Sequence, residues 1–363
     1  MHGTASADAA VAYIESRLVE LGFAPRRQPF AVPGWWANGA ATVAVLAPER
    51  RRLDAHTMLL SPGTPAGGEI HGRVGDVGRL GLWGGQHAWR KFAVIRDESR
   101  PSAFLCGRSN GPAIPQLLPP GSADIPHVVV GTDDTRRIEG WLAAGETVEV
   151  TVSSPAAVGP SIEAHNVHAV ILGRGAGRVV VVAHYDSVWS SPGAYDNASG
   201  VAVVLETAAR LAAAPLDATV DVLLTGGEEL GLLGATAFVD ERAAAGGLDA
   251  ISYVLNVEGM GRGSLLDVWA GPENFEWTVA QAIRALPGAR ELTLRSTFPP
   301  PPGSDHAPFY DAGIPVAMVT FDDQEVLHSP RDLPNDEVMA NMRLGADMIE
   351  HLLRKIDTAV SGW

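Results

Sequence analysis

From about Ser161 onward the chain repeats one pattern, a short and nearly unbroken run of Val, Leu and Ile followed by a helical stretch. The apolar runs fall at Val179 to Ala183, Thr219 to Leu224, Ser252 to Val257, Leu265 to Ala270 and Pro315 to Thr320. Helical patterns lie at Gly200 to Ala213, Leu230 to Ala244, Glu273 to Leu286 and Asp336 to Lys355. Strands without polar alternation are covered on both faces, and strands separated by helices are joined by crossovers. The expected fold is therefore α/β, with a mixed, largely parallel central sheet flanked by helices. An amphipathic helix from Ser6 to Leu21, with Ala10, Tyr13, Ile14, Leu18 and Leu21 on one stripe and Ser6 as N-cap, is expected to pack on the same sheet.

Between Trp36 and Ser154 the texture differs. Short runs such as Ala41 to Leu46, Phe92 to Ile95 and His127 to Val130 are broken by Gly- and Pro-rich turns, with one helical pattern at Asp133 to Ala144 and a strand at Thr147 to Val152. A length of 363 residues suits two domains. We read residues 1–36 with 156–363 as one domain, and 37–155 as a smaller β-rich domain inserted into it.

Charge narrows the partners. With 42 acidic and 27 basic residues the chain carries a formal charge of −15, which disfavours nucleic acid and anionic membrane surfaces. Arg50 to Arg52 is the one basic run and reads as a solvated loop. The single cysteine, Cys106, excludes an internal disulfide and a cysteine-based metal site. No apolar stretch reaches the length of a membrane span, and no signal peptide is visible, so the chain as given reads as cytoplasmic, or as secreted or periplasmic if it is a trimmed mature form.

Ligands of open α/β sheets bind beyond the carboxyl ends of the strands. There the predicted strands deliver His184 and Asp186, Glu228 and Glu229, Glu258, and, after a short acidic loop, His328, while Asp196 comes from the loop after His184. Imidazole nitrogen and carboxylate oxygen are zinc ligands, and two histidines, a bridging carboxylate and two further carboxylates make up the set for two zinc ions or other divalent metals. Glu228 is left over as a base. Each residue alone has an ordinary structural explanation; their conjunction at successive strand ends does not.

The segments His184-Tyr185-Asp186, Asp196 to Gly200, Gly227 to Gly231, Asn256-Val257-Glu258, Ser304 to Phe309 and His328 to Asp332, with the 12-residue step from His184 to Asp196, resemble the co-catalytic zinc aminopeptidases of metallopeptidase family 28. The resemblance covers the opening helix and nearly everything after residue 160, and implies a zinc exopeptidase fold of the phosphorylase/hydrolase-like kind. The segment around Ile125 to Val130 is similar to the protease-associated domain inserted in some members. Carried over, the resemblance implies that His184 and Glu258 hold one zinc, Glu229 and His328 the other, and that Asp196 bridges them and precedes a cis peptide bond. It implies that Glu228 is the general base for a metal-bridging water, and that the Asp186 carboxylate accepts the other ring N–H of His184. The implied activity removes N-terminal amino acids from a peptide substrate.

Two positions depart from the family pattern. Glu258 stands where aspartate is common, and Leu327 where a tyrosine often steadies the tetrahedral intermediate, which leaves that task to zinc or to a donor such as His306. Trp189, Phe298, Met260 and Phe309 are the candidate walls of an apolar substrate pocket. Competing expectations are a carboxypeptidase or amidohydrolase acting on N-acyl amino acids or small amides, a glutaminyl-cyclase-like transferase with a single zinc, and a metal-free binding module. Gly107-Arg108-Ser109-Asn110-Gly111 matches a nucleophile elbow in sequence, but Pro112 and Pro115 oppose the helix that motif requires.

Overall fold

The computed structural model describes residues 2–360 apart from 66–67, 86, 98–99, 176, 323–324 and 338. Helix α1 (Ala5–Glu20) and strand β1 (Arg26–Ala37) lead into β2 (Thr42–Ala47), β3 (Arg51–Leu53), β4 (Ala55–Thr57), β5 (Ile70–Leu82), β6 (His87–Asp97), β7 (Arg100–Gly107), β8 (His127–Val130), α2 (Thr132–Ala143) and β9 (Glu149–Ser153). The chain returns through β10 (Ala156–Ile171) to β11 (Arg178–His184), α3 (Gly200–Ala213), β12 (Thr219–Thr225), α4 (Leu233–Ala244) and β13 (Ile251–Val257). It ends with β14 (Leu265–Gly271), α5 (Glu273–Ala285), β15 (Thr293–Thr297), α6 (Ala307–Asp311), β16 (Val316–Phe321) and α7 (Met342–Val360). Contacts divide it into two units, Met1–Val32 with Ile162–Trp363, and Pro33–Ser161.

In the first unit the sheet order is β1-β10-β12-β11-β13-β16-β14-β15. The central neighbours β12, β11, β13 and β16 are mutually parallel, whereas β10 runs antiparallel to β12, and β14 antiparallel to β16 but parallel to β15. Alternate residues of the central strands enter opposite cores. Val179, Val181 and Ala183 join Val220, Val222 and Leu224 in a core with Val11, Ile14 and Leu18 of α1, whereas Val180, Val182 and Leu223 pack with Ala235, Phe238 and Val239 of α4. Both faces are covered, which is why the runs are unbroken in sequence.

Several helix boundaries differ from expectation. Helix α1 is capped by Thr4, whose hydroxyl accepts the Ala7 N–H at 3.3 Å, and Ser6 lies within the helix. Its buried stripe is Val11, Ile14 and Leu18, and Tyr13 faces solvent. Helix α4 begins at Leu233 because Gly231 and Leu232 turn through positive φ, which ends helical continuity from Leu230. Helix α7 begins at Met342, after a run of turns.

The second unit has sheet order β3-β2-β9-β5-β6-β7-β8-β4, with α2 as its helix. Its neighbours pair antiparallel except β7 with β8. No helix follows Ser109, which sits in an exposed turn, so the nucleophile-elbow reading fails. Among the described residues no helix is long and apolar enough to cross a membrane.

Two stability predictions follow from this packing. A Cβ on Gly234 would lie 2.3 Å from both the Asn166 side-chain oxygen and the Gly226 carbonyl. Gly234→Ala should therefore lower the thermal midpoint by an amount corresponding to about 1–3 kcal/mol, and an unchanged midpoint would show that the start of α4 is free to shift. In the second unit, His127 is fully buried, its Nδ1–H donates to the Ile125 carbonyl at 2.8 Å, and burial pulls its pKa down to about 4. The unfolded imidazole titrates near about 6.5, so this contribution is complete above that pH and lost as pH falls through the folded value. Denaturant midpoints measured from pH 7 to 4 should fall, by at most about 3 kcal/mol from this group, and His127→Phe should flatten the decline.

Candidate metal centre

Because β12, β11, β13 and β16 are parallel neighbours, their carboxyl ends share one edge of the sheet. His184 closes β11 opposite Thr225, the last residue of β12. Glu228 and Glu229 follow in a turn that depends on Gly227, whose φ of 69° favours glycine. Glu258 follows β13, and His328 follows β16 in a left-handed conformation, with φ 55°.

The side chains form two groups that share one residue. His184, Asp196 and Glu258 make one and Asp196, Glu229 and His328 the other, with the ligand atoms of each group all within 4.8 Å of one another. Asp196 turns its two oxygens different ways. Its Oδ1 lies 3.2 Å from His184 Nε2 and its Oδ2 3.1 Å from His328 Nε2. Glu258 Oε1 lies 2.7 Å from His184 Nε2, and Glu229 Oε2 3.1 Å from His328 Nε2. Glu228 stands back, its Oε2 at 4.0 Å from His184 Nε2.

Burial disfavours charge on all of these groups, and their neighbours decide the outcome. His184 is buried yet held well above the usual imidazole value by Glu258 and Glu228, and His328 likewise by Glu229 and Asp196. Burial raises Glu228, and Glu229, Glu258 and Asp305 raise it further against His184. Burial also raises Glu229, with Asp196 adding to it against His328, and Glu229 Oε1 is buried without a hydrogen-bond partner. Hard oxygen and imidazole donors, negative charge in excess and an orphaned carboxylate oxygen fit divalent cations such as zinc.

Polar staples that sequence reasoning missed hold the ligands in place. Asn197 donates to the Val257 carbonyl at 2.9 Å and accepts from Gly200 and Gly259 N–H at 3.1 and 3.0 Å; its peptide bond with Asp196 is cis. The Ser199 hydroxyl donates to the Tyr195 carbonyl and accepts the Met260 N–H. Asp332 accepts the Tyr195 and Asp196 N–H groups at 2.5 and 3.1 Å. Asn256 Nδ2 donates to Ser304 Oγ at 2.7 Å, so the Ser304 hydroxyl proton is directed to Glu258 Oε2 at 2.8 Å. Asp305 accepts from the Thr225 hydroxyl, and burial pushes its carboxyl up to about 7.

Other expectations are corrected. His184 Nδ1–H donates to the backbone carbonyl of Asp186 at 3.0 Å, and the Asp186 carboxylate, 3.7 Å away, instead accepts the Glu228 N–H at 3.2 Å. His306 is fully buried, with its pKa pulled down to about 4 by burial. Its Nε2–H donates to the Pro301 carbonyl at 2.9 Å, so this neutral ring has no second proton to offer an oxyanion. Met260 and Phe309 are fully buried in apolar cores and cannot line an open pocket. Trp189 is half-buried, Phe298 is exposed, and Leu327 packs against Ala194, Tyr195 and Val326.

The sequence profile of peptidase family M28 matches residues 166–352, more than half of the chain. The chain belongs to peptidase family M28. Aminopeptidase YwaD of Bacillus subtilis is 33% identical over 165 residues, covering 42% of this chain and 35% of its own length, so the chain matches about a third of that curated relative. A peptidase M28 precursor from Shewanella amazonensis superposes with a TM-score of 0.73 at 20% identity, covering 98% of this chain and 89% of that one. BSAP, a zinc aminopeptidase from Bacillus subtilis, gives 0.71 at 22% identity over 98% and 90%. These likenesses place the M28 fold.

Within that M28 fold the Ser304 relay generates a prediction. Ser304→Ala removes the hydroxyl that orients Glu258, and should weaken divalent-ion affinity about 10- to 100-fold, measured by chelator competition. Unchanged affinity would show that the relay does not set Glu258.

Proposed function

We propose that the chain is a metal-dependent aminopeptidase. The observation that carries this reading is the divergence of the two Asp196 oxygens toward His184 and His328. In this reading His184, Asp196 and Glu258 hold one zinc ion, and Asp196, Glu229 and His328 a second. When bound, such a pair supplies Lewis acidity toward the scissile carbonyl and makes water acidic enough to be deprotonated near neutral pH.

Glu228 is assigned as the general base. It adjoins both groups without belonging to either, and its raised proton affinity suits a residue that takes a proton from the attacking water and returns it to the leaving amine. Asp186 acts through position, with its backbone carbonyl fixing the tautomer of His184 and its carboxylate holding the Glu228 backbone. His306 cannot donate and Leu327 is apolar, so neither would steady an oxyanion, and a bound metal would supply that charge stabilisation. The chemistry is assigned to residues 1–36 with 156–363, and residues 37–155 are assigned as a protease-associated-like insert. The substrate is a peptide, as the names of the aminopeptidase relatives suggest.

Glu228→Gln should retain metal and lose at least about 100-fold in kcat. A chelator should abolish hydrolysis, and added zinc should restore it. A near-normal rate in the variant would remove Glu228 from the role, and indifference to chelator would overturn the metal-dependent reading. On a panel of free and N-acylated peptides, hydrolysis confined to free amines is expected. Cleavage of blocked peptides alone would replace aminopeptidase by amidohydrolase.

A further inference from the structure

The turn that carries Glu228 and Glu229 is held at its neck by one side chain from another strand. Strand β10 pairs antiparallel with β12, Val167 opposite Leu224, which brings Asn166 level with the carboxyl end of β12. Asn166 is fully buried. Its Oδ1 accepts the Gly226 N–H at 3.2 Å, and its Nδ2 donates to the Gly234 carbonyl at 2.8 Å. Gly226 and Gly234 are the two ends of the turn, since the Gly234 N–H donates to the Gly226 carbonyl and the Leu233 N–H to the Gly227 carbonyl, each at 3.0 Å. A single amide thus bonds both ends of a loop whose interior carries the two glutamates.

Neighbouring groups fix the orientation of that amide. The second Nδ2 proton goes to Gln28 Oε1 at 2.8 Å, and Gln28 in turn donates through Nε2 to the Ala237 carbonyl at 3.2 Å and to the Glu241 carboxylate. Because a backbone carbonyl can only accept, the Gln28 oxygen faces Asn166, and the Asn166 nitrogen faces both Gln28 and Gly234. Room at the neck is equally restricted, as a Cβ on Gly234 would stand 2.3 Å from Asn166 Oδ1. Beside Asn166, the His165 carbonyl accepts the Tyr185 hydroxyl at 2.6 Å, so the same end of β10 also ties down the segment between His184 and Asp186.

Asp186 anchors the middle of the turn through the Glu228 N–H at 3.2 Å, and Asn166 anchors its ends. Misplacing a reacting group by about 1 Å can cost on the order of 100-fold in rate. We propose that Asn166 is a positioning residue, which closes the neck of the turn over residues 226–234 and thereby aims Glu228 toward His184 and Glu229 toward His328. The effect on hydrolysis rests on the aminopeptidase reading. Closure of the turn does not.

The test compares the unsubstituted full chain with Asn166→Asp, which keeps the acceptor for Gly226 and loses the donor for Gly234, and with Asn166→Ala, which loses both. Ile283→Ala, a truncation of a buried side chain in α5, is the control for lost stability. In the metal-free proteins, hydrogen exchange over residues 226–234, taken relative to β12, should be at least about tenfold faster in both Asn166 variants and unaltered in the control. With zinc saturating, both variants should lose about 10- to 100-fold in kcat with KM held within about threefold, while Ile283→Ala keeps its kcat. Unaltered relative exchange over the turn, or a kcat in the Asn166 variants equal to that of the control, would overturn the proposal. Should the unsubstituted chain hydrolyse no peptide, the aminopeptidase reading fails, and exchange alone decides the closure of the turn. Should neither Asn166 variant fold, the unsubstituted chain decides. Its Gly226 N–H should exchange as slowly as the amides of β12, and exchange at the rate of an open loop overturns the proposal.

Discussion

Like charges held together against their repulsion set the terms for the M28 unit. Asp196, Glu228, Glu229 and Glu258 meet at one edge of the sheet with two imidazoles, and Asp305 is buried within their field. In a medium that solvates charge poorly, such a cluster separates or takes up protons unless cations enter it and the backbone denies it room to spread. The parallel core answers the second need by fixing four strand ends side by side.

Rigid strands do not by themselves orient carboxylates on turns. That falls to neutral side chains and N–H groups, each spending its hydrogen bonds on a neighbouring turn. Asn197 and Ser199 join the Asp196 turn to the one carrying Glu258, and Asp332 draws in the backbone of Tyr195 and Asp196. The Asn256–Ser304 relay has a fixed polarity because an amide nitrogen can only donate.

The strands and most helices were legible in sequence because double-sided burial writes unbroken apolar runs and amphipathic helices write a 3.6-residue period. Boundaries were less so. Leu230 to Leu232 has helical composition, and only the positive φ of Gly231 and Leu232 delays the helix. The acidic and imidazole residues that the structure brings together could be sought because all but Asp196 lie at or beyond the carboxyl end of a strand. Apolar site residues could not, since Met260 and Phe309 have the composition of core and lie in it. Asn197, Ser199, Ser304, Asp305 and Asp332 stood inside motifs without a role, because a polar residue in a loop carries no period and its partner lies far along the chain.

That distance has a further consequence. The Asp332 carboxylate meets the Tyr195 N–H across 137 positions of sequence, and Ser304 meets Glu258 across 46. Contacts so far apart in sequence depend on the sheet that brings them together, because each closes a long loop. A nascent or partly folded chain therefore holds scattered ligands and no complete centre. The proposed hydrolysis would accordingly depend on the finished sheet, with no partial activity to be had from its pieces.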